Sequence, residues 1–191
     1  MILYVIPNKM TYTGKEVEPL WAYKEFGVQD DSIVVFRGPM KVELSNMKDL
    51  VDIKETKPIL SNDSINFVIE HFNQPDIRTM YLRQRLLVNI AKEVIEDITG
   101  KRLYRDNDDL YYNNGKLSVS IATCGITSGK IHLGINVTNK GTPKNNKTAS
   151  LIDLGITNDD QVETIMETIG KQYKNEIEKI ERDIRKTLPL R

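Results

Sequence analysis

Asp108-Asp109-Leu110-Tyr111-Tyr112-Asn113-Asn114-Gly115-Lys116-Leu117-Ser118-Val119-Ser120-Ile121-Ala122-Thr123-Cys124-Gly125-Ile126-Thr127-Ser128-Gly129-Lys130-Ile131-His132-Leu133-Gly134-Ile135-Asn136-Val137-Thr138 carries three strand signals in succession. Asn113-Asn114-Gly115 marks a tight hairpin, because Asn and Gly tolerate the positive φ that such turns need. Cys124 to Gly129 marks a second, looser turn. Strand side chains alternate between two faces. The alternation places Leu117, Val119 and Ile121 on one face of the second strand, and Lys116, Ser118, Ser120 and Ala122 on the other. In the third strand Ile131, Leu133, Ile135 and Val137 form an apolar face opposite His132, Gly134, Asn136 and Thr138. One side of the meander is therefore expected in the core. The other carries small and hydrogen-bonding groups with one lysine and one histidine. Such a face suits either a bound molecule or a second packed layer.

The rest of the chain bounds the answer. Its 191 residues fit one domain, 1–191. Lys plus Arg number 27 and Asp plus Glu 27, so no global field recommends nucleic acid or an anionic membrane as partner. One cysteine excludes an internal disulfide, and two histidines argue against a zinc site; no metal is expected. The segment from Met1 to Pro7 is too short for a signal peptide, and no apolar run approaches the roughly 18 residues of a membrane span. A cytoplasmic location is the expectation.

Taken in order, Met1 to Ile6 reads as an edge strand and Glu18 to Phe26 as a short helix closed by Gly27, with Trp21 a core anchor. Ile33 to Phe36 is a buried strand, turning at Arg37-Gly38-Pro39 into a second strand from Lys41 to Leu44. Gly38 would let a ligand approach the backbone and Arg37 would grip an anion; the alternative is an ordinary hairpin with a surface arginine. Residues 45–62 read as a loop with a short strand from Val51 to Glu55 and no visible chemistry. Ile65 to Phe72 alternates as a strand, with His71 beside the apolar set. After a turn at Asn73 to Asp76, with Pro75 ahead of the Asp76 cap, a long helix runs to Thr99 and ends at Gly100. Met80, Leu87, Ala91, Val94 and Ile98 form its core stripe. Arg78, Arg83 and Arg85 in its first turns suit an anion or a solvated flank. Thr138 to Ala149 is a polar stretch. Thr157 with Asp160 resembles a capping box for a last helix over 158–187, striped by Val162, Ile165, Ile169, Tyr173, Ile177, Ile180 and Ile184. Its second half is left to project toward a partner or a second copy of the chain.

Asn114 to Ala122, followed by Gly134-Ile135-Asn136-Val137, resembles the core of biotin and lipoate protein ligases and octanoyl transferases. Asp108-Asp109-Leu110 stands where those proteins carry Asn-Asp-Leu. More narrowly, Trp21-Ala22, Asp31 to Pro39 and Arg83 to Leu87 resemble an archaeal family of uncharacterised proteins with the same fold. The resemblance implies an α+β fold, with a mixed, mainly antiparallel sheet packed by helices. It implies Lys116 as the active-site lysine and Asn136 as the asparagine of Gly-Ile-Asn-Val. Ser118 and Ser120 would hydrogen-bond the ligand, with His132 beside Lys116 at the chemistry. A small carboxylic acid or acyl donor, an acceptor protein and ATP are implied as partners, although the residues themselves name no cofactor. A member that binds a small acid, nucleotide or protein without catalysis is the alternative. The chain lacks the Gly-Arg-rich loop of the biotin ligases and the Arg-Arg-x-Gly-Gly-Gly run of the lipoate ligases. Where octanoyl transferases have Pro-Cys-Gly-Ile it has Asp153-Leu154-Gly155-Ile156. Cys124 is then either a relocated nucleophile or an incidental small residue.

Overall fold

In the computed structural model, residues 1–73, 76–143 and 147–190 are described; Pro75 and part of the polar stretch after Thr138 lie outside them. Two sheets and four α-helices alternate along the chain: β1 (Ile2–Val5), α1 (Trp21–Phe26), β2 (Ser32–Val42), α2 (Leu50–Lys54), β3 (Ile59–His71), α3 (Ile77–Thr99), β4 (Tyr104–Asp106), β5 (Asp109–Tyr112), β6 (Gly115–Lys116), β7 (Ser118–Cys124), β8 (Gly129–Asn136) and α4 (Asp159–Ile184). The main sheet has the order β1-β2-β3-β8-β7, and a small sheet the order β4-β5-β6. Only β1 against β2 is parallel; the other pairs are antiparallel. The mixed, mainly antiparallel α+β architecture is as expected.

Alternation builds two layers around the main sheet. Ile33, Val35, Ile65, Phe67, Ile69, Ile131, Leu133 and Ile135 are fully buried with Met80, Leu87 and Ala91 of α3 and Ile165, Ile169 and Tyr173 of α4. Each such aliphatic or aromatic side chain contributes about 1.5–3 kcal/mol of transfer free energy. Val34, Phe36 and Val68 face the other way, under Tyr12, Ala22, Val28, Met40, Val42 and Met47. Trp21 is only half-buried against this second cluster.

Helix ends follow local chemistry. Asp76 accepts from the backbone N–H groups of Arg78 and Thr79, and Gly100 closes α3 with a left-handed conformation. At α4 the cap is Asn158, whose side chain accepts from Gln161 N. The expected Thr157–Asp160 box does not form there. The reciprocal box lies earlier, between Ser150 and Asp153, ahead of a 3-10 turn. Ile98, Ile180 and Ile184, expected in core stripes, are exposed.

Two connections differ from the sequence reading. Val51 to Glu55 is not a strand; Asp49 accepts from the N–H groups of Val51 and Asp52 and starts α2. Arg37-Gly38-Pro39 is not a turn either. β2 runs through it and absorbs the proline at a register shift between Gly38 and Met40, where a missing N–H is tolerated. A Cβ on Gly38 would stand 2.9 Å from the Met10 carbonyl carbon, so the backbone that closely approaches this glycine is the chain's own. Gly38→Ala is expected to lower stability by about 1–3 kcal/mol through overpacking, read as a drop in urea midpoint with unchanged slope; an unchanged midpoint would show that the 10–12 segment is loosely held.

Candidate functional site

The meander folds with one departure from simple alternation. Tyr112 pairs with Gly115, and Asn113 and Asn114 take positive φ, as the hairpin signal requires. The second strand then changes sheets at Leu117: β6 belongs to the small sheet and β7 to the main one. This switch reverses the expected faces. Ser118 lies opposite Ile135, Ser120 opposite Leu133 and Ala122 opposite Ile131, so these three point to the helix layer. Ser118 Oγ accepts from Leu110 N at 2.9 Å. Ser120 Oγ accepts from Gln84 Nε2 of α3 at 3.0 Å and donates to His132 O. Val119 and Ile121, expected in the core, instead share the face of Gly134 and His132.

On that second face a cavity of about 250 Å³ is lined by Tyr12, Val42, Asp49, Asp52, Asp108, Asp109, Lys116, Val119, Ile121 and His132. A second lobe of about 350 Å³ adjoins it, lined by Met40, Lys57, Tyr111, Asn136, Thr142 and Lys147. Lys116, Asp52, Ile59 and Val119 belong to both walls. Lys116, on β6 of the small sheet, and His132, on β8 of the main sheet, thus line one hollow.

Lys116 is held at both ends. Its Nζ pairs with Asp109 Oδ2 at 2.7 Å. Its N–H donates to Lys147 O and its carbonyl accepts from Ala149 N. Asn136 Nδ2 donates to Ala149 O at 3.1 Å and to Lys116 O, so Asn136 clasps the two segments that carry the lysine. Gly115 is needed for this closeness: a Cβ there would meet Thr148 O at 2.7 Å. Burial pushes the Asp109 carboxyl up, against the pull of Lys116. Burial and then the neighbouring Asp49 push Asp52 up.

His132 stacks on Tyr12 with ring centroids 3.6 Å apart and planes 5° from parallel. Its Nε2 lies 3.0 Å from Asn66 Oδ1, while Asn66 Nδ2 donates to Ser64. That orientation makes Nε2 the protonated nitrogen and leaves Nδ1 as a lone pair. Burial pushes the imidazole down to about 3, so His132 is neutral and donates from Nε2 to Asn66. Burial, and then Glu16, hold the Tyr12 phenol above its usual range, so it keeps its proton.

The other expected ligand groups are not brought here. Arg37 is consumed by Asp63, through Nε and Nη2, and by Asp159 Oδ1 at 2.6 Å. It clamps the sheet to the start of α4. Arg78 is exposed on the first turn of α3. Arg83 lies on the helix side, near a buried trio in which His71 bridges Asp31 at 3.0 Å and Tyr173 at 3.0 Å. Burial pushes His71 down despite Asp31. That trio sits at the His71–Gly129 end of the strands, whereas Lys116 sits near the Ser64–Asn136 end. Cys124 closes β7 at the end remote from Lys116, about 25 Å along the strand at 3.3 Å per residue.

Tyr12, Asp49, Asp52 and Asp109 were not singled out from sequence. Only Asp109 had a signal, its place in Asp108-Asp109-Leu110. Among the described residues no group of three or more His, Cys, Asp or Glu side chains is placed to hold a metal, and no helix is long and apolar enough to cross a membrane.

The model of a family described as a domain of unknown function, DUF366, matches residues 1–188. The chain belongs to this family. It is 57% identical to an uncharacterised protein of Methanocaldococcus jannaschii, over all of this chain and 86% of that one. A protein of unknown function from Pyrococcus horikoshi superposes with a TM-score of 0.93 at 34% identity, covering 100% and 99% of the two chains. More distant likenesses show the fold. Biotin protein ligase from Aquifex aeolicus, solved with biotin and ATP, matches at TM-score 0.60 and 16% identity over 90% of this chain and 70% of the ligase. A lipoate protein ligase homologue from T. acidophilum with bound lipoic acid matches at 0.57 and 11%, over 91% and 85%. The DUF366 chain thus has the biotin/lipoate protein ligase fold.

An unfolded histidine titrates near 6.5. Because folding holds His132 neutral, its contribution to stability is fully present above about pH 6.5 and is lost as pH falls from there toward about 3. His71 adds to the loss with the same sign. In two-dimensional NMR the His132 ring is expected as the Nε2–H tautomer, with no titration between about pH 5 and 8. A midpoint inside that range would show that water reaches the stack.

Proposed function

We propose that this DUF366 protein binds a small carboxylic acid across the two lobes and acts on its carboxylate beside Lys116, as a ligase- or acyltransferase-type enzyme. The observation that carries the reading is the position of Lys116. Lys116 belongs to the walls of both lobes; Asp109 holds its ammonium, and Asn136 and the 147–149 segment hold its backbone. One of its three N–H groups is used by Asp109. The others remain for a carboxylate or for the charge that develops when that carboxylate is activated. The solved likenesses with biotin, ATP and lipoic acid support the same class of ligand.

ATP fits the second lobe by charge. Lys57, Lys116 and Lys147 line it, and Lys57 and Lys147 are held by Glu55 and by Asn113 O. When bound, ATP would supply the adenylyl group that activates a carboxylate. Within this chain, Lys116 holds the negative charge, Asn136 positions the lysine and Val119 and Ile59 exclude water. A second reading, binding without catalysis, draws on Arg37, which is fully engaged elsewhere, and on the exposed place of Arg78. Neither Arg37 nor Arg78 is therefore placed to shield an adenylate.

ATP–pyrophosphate exchange over a panel of small acids decides between the two. The enzyme reading expects acid-dependent exchange that falls about 100-fold or more in Lys116→Ala, with the variant's thermal unfolding near that of the wild type. Saturable binding of an acid without exchange supports the second reading. Lys116→Ala at full rate removes the lysine from the chemistry.

A further inference from the structure

The two lobes differ in the charge that they offer, and the difference names a substrate class. The second lobe presents lysines. The first presents Asp49, Asp52, Asp108 and Asp109 against Lys48 and Lys116. Its floor is the Tyr12–His132 stack. Both of those side chains are at least nine-tenths buried, at 3% and 2% exposure. Both have polar atoms left over: the Tyr12 hydroxyl and His132 Nδ1 have no hydrogen-bond partner among the described residues, since His132 Nε2 is taken by Asn66. Neither atom is among the sealed, unpaired polar atoms of the described residues, so both open onto the cavity, where a ligand or water completes their hydrogen bonds.

We propose that the first lobe takes a hydrogen-bond-donating, positively charged end of the acid, so that the substrate is an amino-bearing carboxylic acid rather than one with a plain hydrocarbon tail. The inference rests on the reading of Lys116 as the carboxylate grip. An ammonium group donates three N–H bonds, and the groups that face it are acceptors: His132 Nδ1 and the Tyr12 oxygen, which have no other partner among the described residues, beside the carboxylate of Asp108, shared with Arg85 and Gln84, and that of Asp109, shared with Lys116. A hydrocarbon tail in the same place would strip water from those groups and satisfy none of them. Sites built to hydrogen-bond a substrate group reject the analogue that lacks it for this reason.

Isothermal titration of the full chain with ω-amino carboxylates, from β-alanine to 6-aminohexanoate, against the matching unsubstituted acids tests this. At the best chain length the amino acid is expected to bind at least about tenfold tighter than its unsubstituted partner, the ratio for one charge-assisted hydrogen bond. Tyr12→Phe keeps the stacked ring and removes the hydroxyl; it should shrink that ratio. Lys116→Ala should weaken both members of each pair alike. Equal or tighter binding of the unsubstituted acids, octanoate and lipoate included, overturns the inference while leaving the carboxylate reading intact. Absence of binding by every acid in the series overturns both.

Discussion

The protein depends on pairing the polar groups that β8 buries. Lys130, His132 and Asn136 alternate on one face of a strand lying between β3 and β7, and none is more than 7% exposed. Each finds a partner from a different part of the chain. Lys130 pairs with Glu70 at 3.0 Å, His132 bonds Asn66, and Asn136 holds the carbonyls of Lys116 and Ala149. Glu70 also accepts from Ser128 and from Leu20 N. An unpaired member of this row would cost several kcal/mol in so dry a setting. The row therefore fixes β8 in register and draws the N-terminal segment and residues 147–149 onto the sheet.

The cavity is a consequence of that packing. Tyr12 reaches His132 because its own N–H and carbonyl are tied to Pro39 and Lys41. Lys116 reaches the same hollow because Asn136 and Gly115 let the 147–149 segment lie against it. The other face is held more conventionally, by aliphatic side chains and by two polar ties: Arg37 to Asp63 and Asp159, and the Asp31–His71–Tyr173 chain. Burial works against ionising Asp31, but hydrogen bonds from His71 and Phe72 N keep its carboxyl below the usual range. Arg37, which looks like a ligand grip in the sequence, is thus spent on architecture.

Legibility varied with the range of the determining interaction. The Asn113-Asn114 hairpin, the Asp76 and Gly100 ends of α3 and the inward stripe of β8 are set by neighbours within a few residues, and they were readable. The faces of β7 were not. Alternation carries the phase of Lys116 onward, but Leu117 leaves one sheet for another, and Ser118 and Ser120 come out facing α3. The proline after Gly38 looked like a turn because a bulge that tolerates it depends on the partner strand. Residues 45–62 looked empty because Asp49 and Asp52 gain meaning only from the strands across the cavity.

By itself the sequence determined the Asn113-Asn114 hairpin, the Asp76 and Gly100 ends of α3, the α+β class and the placing of Lys116 and His132 on extended segments of one meander. Turn chemistry, caps and two-residue periodicity act over short spans and need no partner. Tertiary structure alone decided which side chains share the hollow with that lysine and histidine. It brought Tyr12, Asp52 and Asp109 there, turned the Ser118 and Ser120 hydroxyls to Leu110 N and Gln84, and engaged Arg37 elsewhere. Strand register and sheet membership make that choice, and both are set by contacts between residues far apart in the chain.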